Sequence, residues 1–185
     1  VSGEVIYMTA QNYSKVVAIN SDGECVEVID GSEMDRTKYG QFTGLYPEAL
    51  TIRTIDNEDH LIITGREFWC SKTKGKGKKK KCKTWKYKTI FYSRNLTTGK
   101  KENCTVHSKM EYFIKESRSI TMDNGNYIYI SRGGYIYRVP IKKNSSGTYC
   151  LSGSSFTYNS AEDGSINTPS HIEIDPEDDS IMYVT

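Results

Sequence analysis

Residues 119–143 read SITMDNGNYIYISRGGYIYRVPIKK, and the order of turns and alternations within them decides the fold. Asp123-Asn-Gly-Asn126 supplies a tight turn. The run after it alternates, with Tyr127 and Tyr129 on one face and Ile128 and Ile130 on the other. Arg132-Gly133-Gly134 turns the chain again, because glycine reaches the positive φ that short hairpin loops demand. Tyr135 to Ile141 then runs back. Period-two alternation between such turns predicts an antiparallel meander.

The same order recurs along the chain. LTIRTIDNEDHLIITG (50–65) is strand, acidic turn, strand, and HIEIDPEDDSIMYVT (171–185) repeats it with Asp175-Pro-Glu-Asp-Asp179 as the turn. VIYMTAQNYSKVVAINSDGECVEVID (5–30) holds three strands with Asn20-Ser-Asp-Gly23 as its second turn. KTIFYSRNLTTGKKENCTV (88–106) holds two, joined at Thr97-Thr-Gly99. Helical periodicity is almost absent, and the excess of tyrosine (14) over phenylalanine (5) suits pleated, half-buried surfaces. The expectation is an all-β chain with approximate repeats at 1–48, 49–110 and 111–165 and a partial one at 166–185.

Four-stranded antiparallel units in this order stack radially as the blades of a β-propeller. The chain resembles the extracellular propellers with YWTD-like, NHL-like or semaphorin-type blades. Val5-Ile-Tyr-Met-Thr9, Tyr127-Ile-Tyr-Ile-Ser131 and Ile181-Met-Tyr-Val-Thr185 look like second strands, Ile172-Glu-Ile-Asp-Pro176 like a first strand, and Tyr137-Arg-Val-Pro140 like a third. The aspartate of true YWTD blades is missing, since Met-Thr-Ala and Val-Thr stand in its place, so the subfamily stays open. Opening and stopping on second strands leaves about three full blades between, whereas a closed ring needs about four or more. The chain is therefore expected to be part of a larger propeller, or a single propeller domain completed by a second chain. A β-sandwich of the same strands is the alternative.

Charge is concentrated in one place. Residues 72–88 hold ten lysines and no acid, and without those ten the formal charge of +2 becomes −8. A basic insert at 70–83 thus sits on an acidic body, and Lys72, Lys74, Lys76, Lys78, Lys79, Lys80, Lys81 and Lys83 are the polyanion-binding candidates. A nucleic-acid-binding fold spreads basic charge over a face, so no nucleic acid is expected. The run lacks arginine, which makes bidentate contacts to oxyanions, so it attracts polyanions by charge alone. Trp69 and Trp85 flank it, either as cross-strand packing or as anchors for a protein contact.

Four N-glycosylation sequons, at Asn12, Asn95, Asn103 and Asn144, join five cysteines without C-x-x-C spacing in pointing outside the cell. Cys70–Cys82 is the most local pairing; Cys25–Cys104 is the second candidate bridge, which leaves Cys150 unpaired or intermolecular. No apolar run reaches the length of a membrane span. Catalytic signals are weak. The histidines are scattered, and only the row His171, Glu173, Asp175 on one strand face would line a propeller channel as an enzyme's site. Asp175-Pro-Glu-Asp-Asp179 lacks the ligand spacing and glycine of a calcium loop. No cofactor or metal is expected. What the resemblance implies is a non-enzymatic, secreted or cell-surface, glycosylated recognition domain that binds another extracellular protein. A glycosaminoglycan-binding factor acting through Lys72–Lys83 and a channel enzyme are the alternatives.

Overall fold

The computed structural model describes residues 5–10, 15–30, 43–77, 81–153, 157–160 and 169–185. These form an all-β fold of antiparallel sheets with one short helix among the described residues. β1 (Ile6–Ala10), β2 (Lys15–Ile19) and β3 (Cys25–Asp30) make the first sheet. The second is a four-stranded meander of β4 (Thr43–Ile55), β5 (Glu58–Lys74), β6 (Lys81–Asn95) and β7 (Lys101–Asn103). Helix α1 (Ser108–Ile114) leads into the third sheet, β8 (Ser119–Met122), β9 (Tyr127–Arg132), β10 (Tyr135–Lys143) and β11 (Tyr149–Leu151). There β12 (Thr157–Ser160) pairs with the first half of β10. β13 (Ile172–Ile174) and β14 (Met182–Val184) form a hairpin.

The meander read from residues 119–143 is present as expected. Asp123 Oδ1 accepts the backbone N–H groups of Asn126 and Tyr127 at 2.9 and 2.8 Å, which pins the turn into β9. Gly125 has φ 89°, and a Cβ there would stand 2.6 Å from the Tyr149 hydroxyl, so both backbone and space require glycine. Ile128 and Ile130 are fully buried, while Tyr127 and Tyr129 stay half-exposed on the other face.

β5 shows why one segment reads differently. Its run Leu61-Ile62-Ile63 is apolar without alternation because the second sheet is covered on both sides. Leu61 and Ile63 join Val16, Ile29, Ile90 and Tyr92 in the cluster facing the first sheet. Ile62 joins Phe91, Met110, Ile114, Ile128 and Val139 in the larger cluster shared with α1 and the third sheet. Each of these buried side chains contributes roughly 1.5–3 kcal/mol.

The first strands of successive sheets, β4, β8 and β13, pack side by side. Side chains do the bridging between β8 and β13: Ser119 Oγ donates to the Ile172 carbonyl at 3.3 Å, and Ile174 N–H donates to Thr121 Oγ1 at 3.2 Å. Arg53 of β4 donates to the Asp175 carbonyl at 3.3 Å and pairs with Asp179 in the β13–β14 turn. The other oxygen of Asp179 accepts the Asn124 N–H from the β8–β9 turn at 3.0 Å.

The two disulfides are Cys70–Cys82 and Cys104–Cys150. The first is the local pairing expected. The second corrects the expected Cys25–Cys104 bridge and the expectation that Cys150 is left over. Cys104 lies in the cluster between the second and third sheets, 5.5 Å from Cys150 by Cα. Cys25 belongs to the first sheet, which packs on the opposite face of β4–β7, so that bridge would have to cross a sheet. Cys25 is the free, exposed thiol.

His60 of β5 is fully buried, edge-on to Tyr149 at 4.8 Å, with Glu58 Oε2 3.7 Å from its Nε2. Burial pushes its pKa down, and the Lys143 ammonium adds to this, outweighing the pull of Glu58.

Two outcomes are expected. Because the folded state resists protonating His60 while the unfolded chain titrates near its ordinary value of about 6.5, stability is complete above that pH. It declines as pH falls through it, until the lower folded-state pKa is reached. Urea midpoints between pH 8 and 5 should show this decline, and His60→Phe should flatten it; equal slopes for the two proteins would contradict the assignment. Second, removing Cys104–Cys150 opens a 46-residue separation in the core and should cost about 4 kcal/mol. Removing Cys70–Cys82 should lower the thermal midpoint far less, because the arm it closes frays locally while the sheets persist.

Candidate functional site

The site begins with an irregularity in β4. Pro47 pairs with Gly65 and Ala49 with Thr64, so Glu48 is the extra residue of a β-bulge. Gly65 permits the bulge, since a Cβ there would stand 2.2 Å from the Tyr46 carbonyl oxygen. The bulge aims Glu48 into a nearly dry position, where burial raises its carboxyl pKa against the opposing effects of the Glu116 N–H and Arg66. One Glu48 oxygen accepts the Glu116 N–H at 2.6 Å and the other pairs with Arg66 Nε.

Glu116 itself is held in a left-handed conformation, φ 64°. For a residue other than glycine this costs on the order of 1 kcal/mol or more and persists only where the surroundings enforce it. Its carboxylate then meets three cations, Arg66 and Arg132 at 3.4 Å and Lys115 at 3.8 Å. Arg132 also lies over the Tyr112 ring at 3.9 Å.

Tyr112 and Lys115 come from the α1 segment, the element that sequence reading missed. Its signal is short: Met110, Phe113 and Ile114 at helical spacing, of which Met110 and Ile114 are fully buried. The His107 side chain accepts the Lys109 N–H and starts the helix. Phe113 packs on Tyr137 at 4.5 Å, which fixes α1 between the second and third sheets.

Two depressions flank α1 and share Tyr112. One, about 380 Å³, lies between Glu116, Arg118, Arg132 and Tyr135. The other, about 300 Å³, lies between Arg66, Tyr87, Lys88, Lys115 and the carboxylate of Glu111.

The second depression is bordered by Tyr87 and Lys88 of the lysine segment, whose described residues form a paired arm. β5 and β6 continue their ladder outward to Lys74↔Lys81, with register shifts around Lys72. Like charges directly opposite destabilise a ladder, and the Cys70–Cys82 bridge further in holds it together. The two tryptophans fall on opposite faces: Trp85 pairs with Cys70, and Trp69 with Lys86. Trp85 stands edge-on to Phe68 at 5.5 Å, Phe68 stacks on Tyr46 at 4.7 Å, and Tyr87 lies beside them. One face of the arm is thus aromatic, with Trp85 and Tyr87 exposed. Lys72, Lys74, Lys76, Lys81 and Lys83 are exposed beyond it, while Lys78, Lys79 and Lys80 lie outside the described residues.

The other expected sites are distributed. His171 and Glu173 share the exposed face of β13, with Nε2 and Oε2 3.9 Å apart, while Ile172 and Ile174 face the core. Burial raises the Glu173 pKa against the effects of His171 and Thr121. Asp175 is engaged elsewhere. Its carboxylate accepts the Glu177 and Asp178 N–H groups at 2.8 and 3.2 Å and the Tyr183 hydroxyl at 2.9 Å. Those bonds hold its pKa low. Among the described residues, no group of three or more metal-ligating side chains is placed to hold a metal ion.

Of the sequons, Asn12 lies outside the described residues. Asn95 is buried, with its amide nitrogen donating to Glu58 at 3.1 Å and its oxygen accepting the Thr98 N–H at 2.9 Å. A glycan there has no room in this fold. Asn144 is half-buried, its amide nitrogen bonded to Glu102. Asn103, on β7, is exposed.

No protein-family model, no curated protein and no solved structure matches the chain. Among the described residues, no helix is long and apolar enough to cross a membrane.

The sequons give a direct check. Protein expressed through a secretory pathway should carry a glycan at Asn103 and none at Asn95, read by peptide mass spectrometry. A glycan on Asn95 of folded material would contradict the packing described.

Proposed function

We propose that this chain is a non-enzymatic recognition domain of the extracellular space, that its sheets are blades of a β-propeller, and that its contact surface is the β5–β6 arm. The observation that carries this is the arm itself: an extended, disulfide-closed hairpin with one aromatic face and a tip of exposed lysines. A ladder with lysines opposite one another and tryptophan and tyrosine in water contributes little to folding, so its composition answers to a partner.

The blade reading is supported by four consecutive antiparallel sheets, in which the first strands β4, β8 and β13 lie together. The compartment is supported by two disulfides, which an oxidising environment favours, and by the exposed sequon at Asn103. The partner is a macromolecule with closely spaced anionic groups, on another extracellular protein or on a glycosaminoglycan. A channel enzyme is not favoured, because Asp175 is committed to its own turn and to Tyr183.

Retention on immobilised heparin and on polyglutamate tests the reading. Replacing Lys72, Lys74, Lys76, Lys81 and Lys83 by glutamine should shift elution to much lower salt. The slope of log affinity against log salt should fall by roughly 0.7–0.9 for each lysine–anion pair removed. A variant that elutes with wild type sinks the proposal.

A further inference from the structure

Lysine gathers polyanions without reading them, so the lysine tip leaves open which polyanion is bound. Arginine discriminates, because its planar fork matches oxyanions bidentately. Arginines are absent from the tip and present along α1. Arg66, with Lys88 and Lys115 outnumbering the single acid Glu111, borders one depression, Arg118 and Arg132 the other, with Tyr112 in the wall of both. The path continues to the arm through Lys115, whose ammonium lies over the Tyr87 ring at 6.0 Å. Exposed rings mark its length: Trp85 and Tyr87 on the arm, Tyr112 on α1 and Tyr135 on β10. Flat rings alternating with cations fit a chain whose units each have an apolar face and an anionic edge.

Glu116 sharpens the reading. It is a half-exposed carboxylate set among Arg66, Lys115 and Arg132 by a bulge and a left-handed backbone. It occupies the place that an oxyanion of a ligand would take. Arg118 is exposed, forms no ion pair among the described residues, and stands in the same depression ready to hold the next anionic group.

We infer that the groove along α1 is a binding site for a sulfated polysaccharide, with the lysine arm as its capture end. Sulfates pair with Arg118 and Arg132, sugar rings lie on Tyr112 and Tyr135, and Glu116 is the internal anion the ligand competes with. The inference rests on the proposed recognition role of the arm, and it names the partner.

The test measures affinity of a heparin dodecasaccharide and of polyglutamate by titration calorimetry, for the full chain and its variants. Arg118→Ala and Tyr112→Ala alter exposed side chains and should fold normally. Each should weaken the heparin fragment about fivefold or more. Glu116→Gln, which keeps the side-chain shape and removes the competing charge, should tighten it several-fold. Polyglutamate should respond to the lysine variants and not to the groove variants. If the groove variants bind the heparin fragment as wild type does while the lysine variants fail, this inference is overturned and the arm reading stands. If the lysine variants bind normally and the groove variants fail, the arm reading falls and the groove site stands alone. If polyglutamate binds as tightly and responds equally to the groove variants, the ligand is an acidic protein segment and the sulfated-polysaccharide assignment is overturned.

Discussion

Everything in this fold depends on how the first strands of the sheets meet. β4, β8 and β13 lie beside one another, and polar backbone at such a junction must find partners elsewhere. Ser119 and Thr121 supply them with hydroxyls short enough to stay on their own strand while reaching the next. Arg53 supplies the longer span, from β4 to the carbonyls and carboxylate of the β13–β14 turn. Asp179 then receives Arg53 on one oxygen and the Asn124 N–H on the other. One charged pair therefore ties three sheets, and the apolar clusters behind it can form because the junction is satisfied.

That packing also decides where function can sit. A second sheet buried on both faces has little exposed surface left for recognition. What it has is its edge, its bulge and its extension beyond the core. The bulge at Glu48 fixes Arg66 and Glu116, α1 is wedged in by Met110, Phe113 and Ile114, and the β5–β6 arm projects past both. Site and scaffold are the same strands at different distances from the core, so the positions of Arg66, Tyr87 and Lys88 are as well defined as the buried register they continue.

The strands and turns were legible because period two and turn chemistry are local. Asp123, Gly125 and Gly133 act on the residues beside them, and the alternation of Tyr127 to Ile130 reports a sheet with one buried face. The features that escaped depend on distant neighbours. A seven-residue helix such as α1 has too few turns to show a period, and its burial is visible only once β10 supplies Tyr137. The partner of Cys104 could not be read because spacing says nothing of which side of a sheet a cysteine faces. Asn95 satisfies a sequon in form, yet its amide holds Glu58 and the β6–β7 turn. Of the groove, only the lysines and tryptophans stood out. Glu116 and Arg66 look like ordinary surface charge until the bulge brings them together.

The electrostatic layout follows from the same separation of body and arm. Concentrating ten lysines on one stapled extension leaves the remainder of the chain with a net negative charge. A long polyanion is attracted to the tip and repelled by most of the body, so its approach is oriented before contact. Along α1 the cations Arg66, Lys88, Lys115, Arg118 and Arg132 outnumber the carboxylates Glu48, Glu111 and Glu116, so that repulsion is weakest there. On the proposed reading, charge orders the encounter, drawing a polyanion in at the lysines and leaving it one favourable path along the protein. On the same reading the arm governs association and the groove residence, so rate and lifetime are separable properties of two neighbouring parts of one surface.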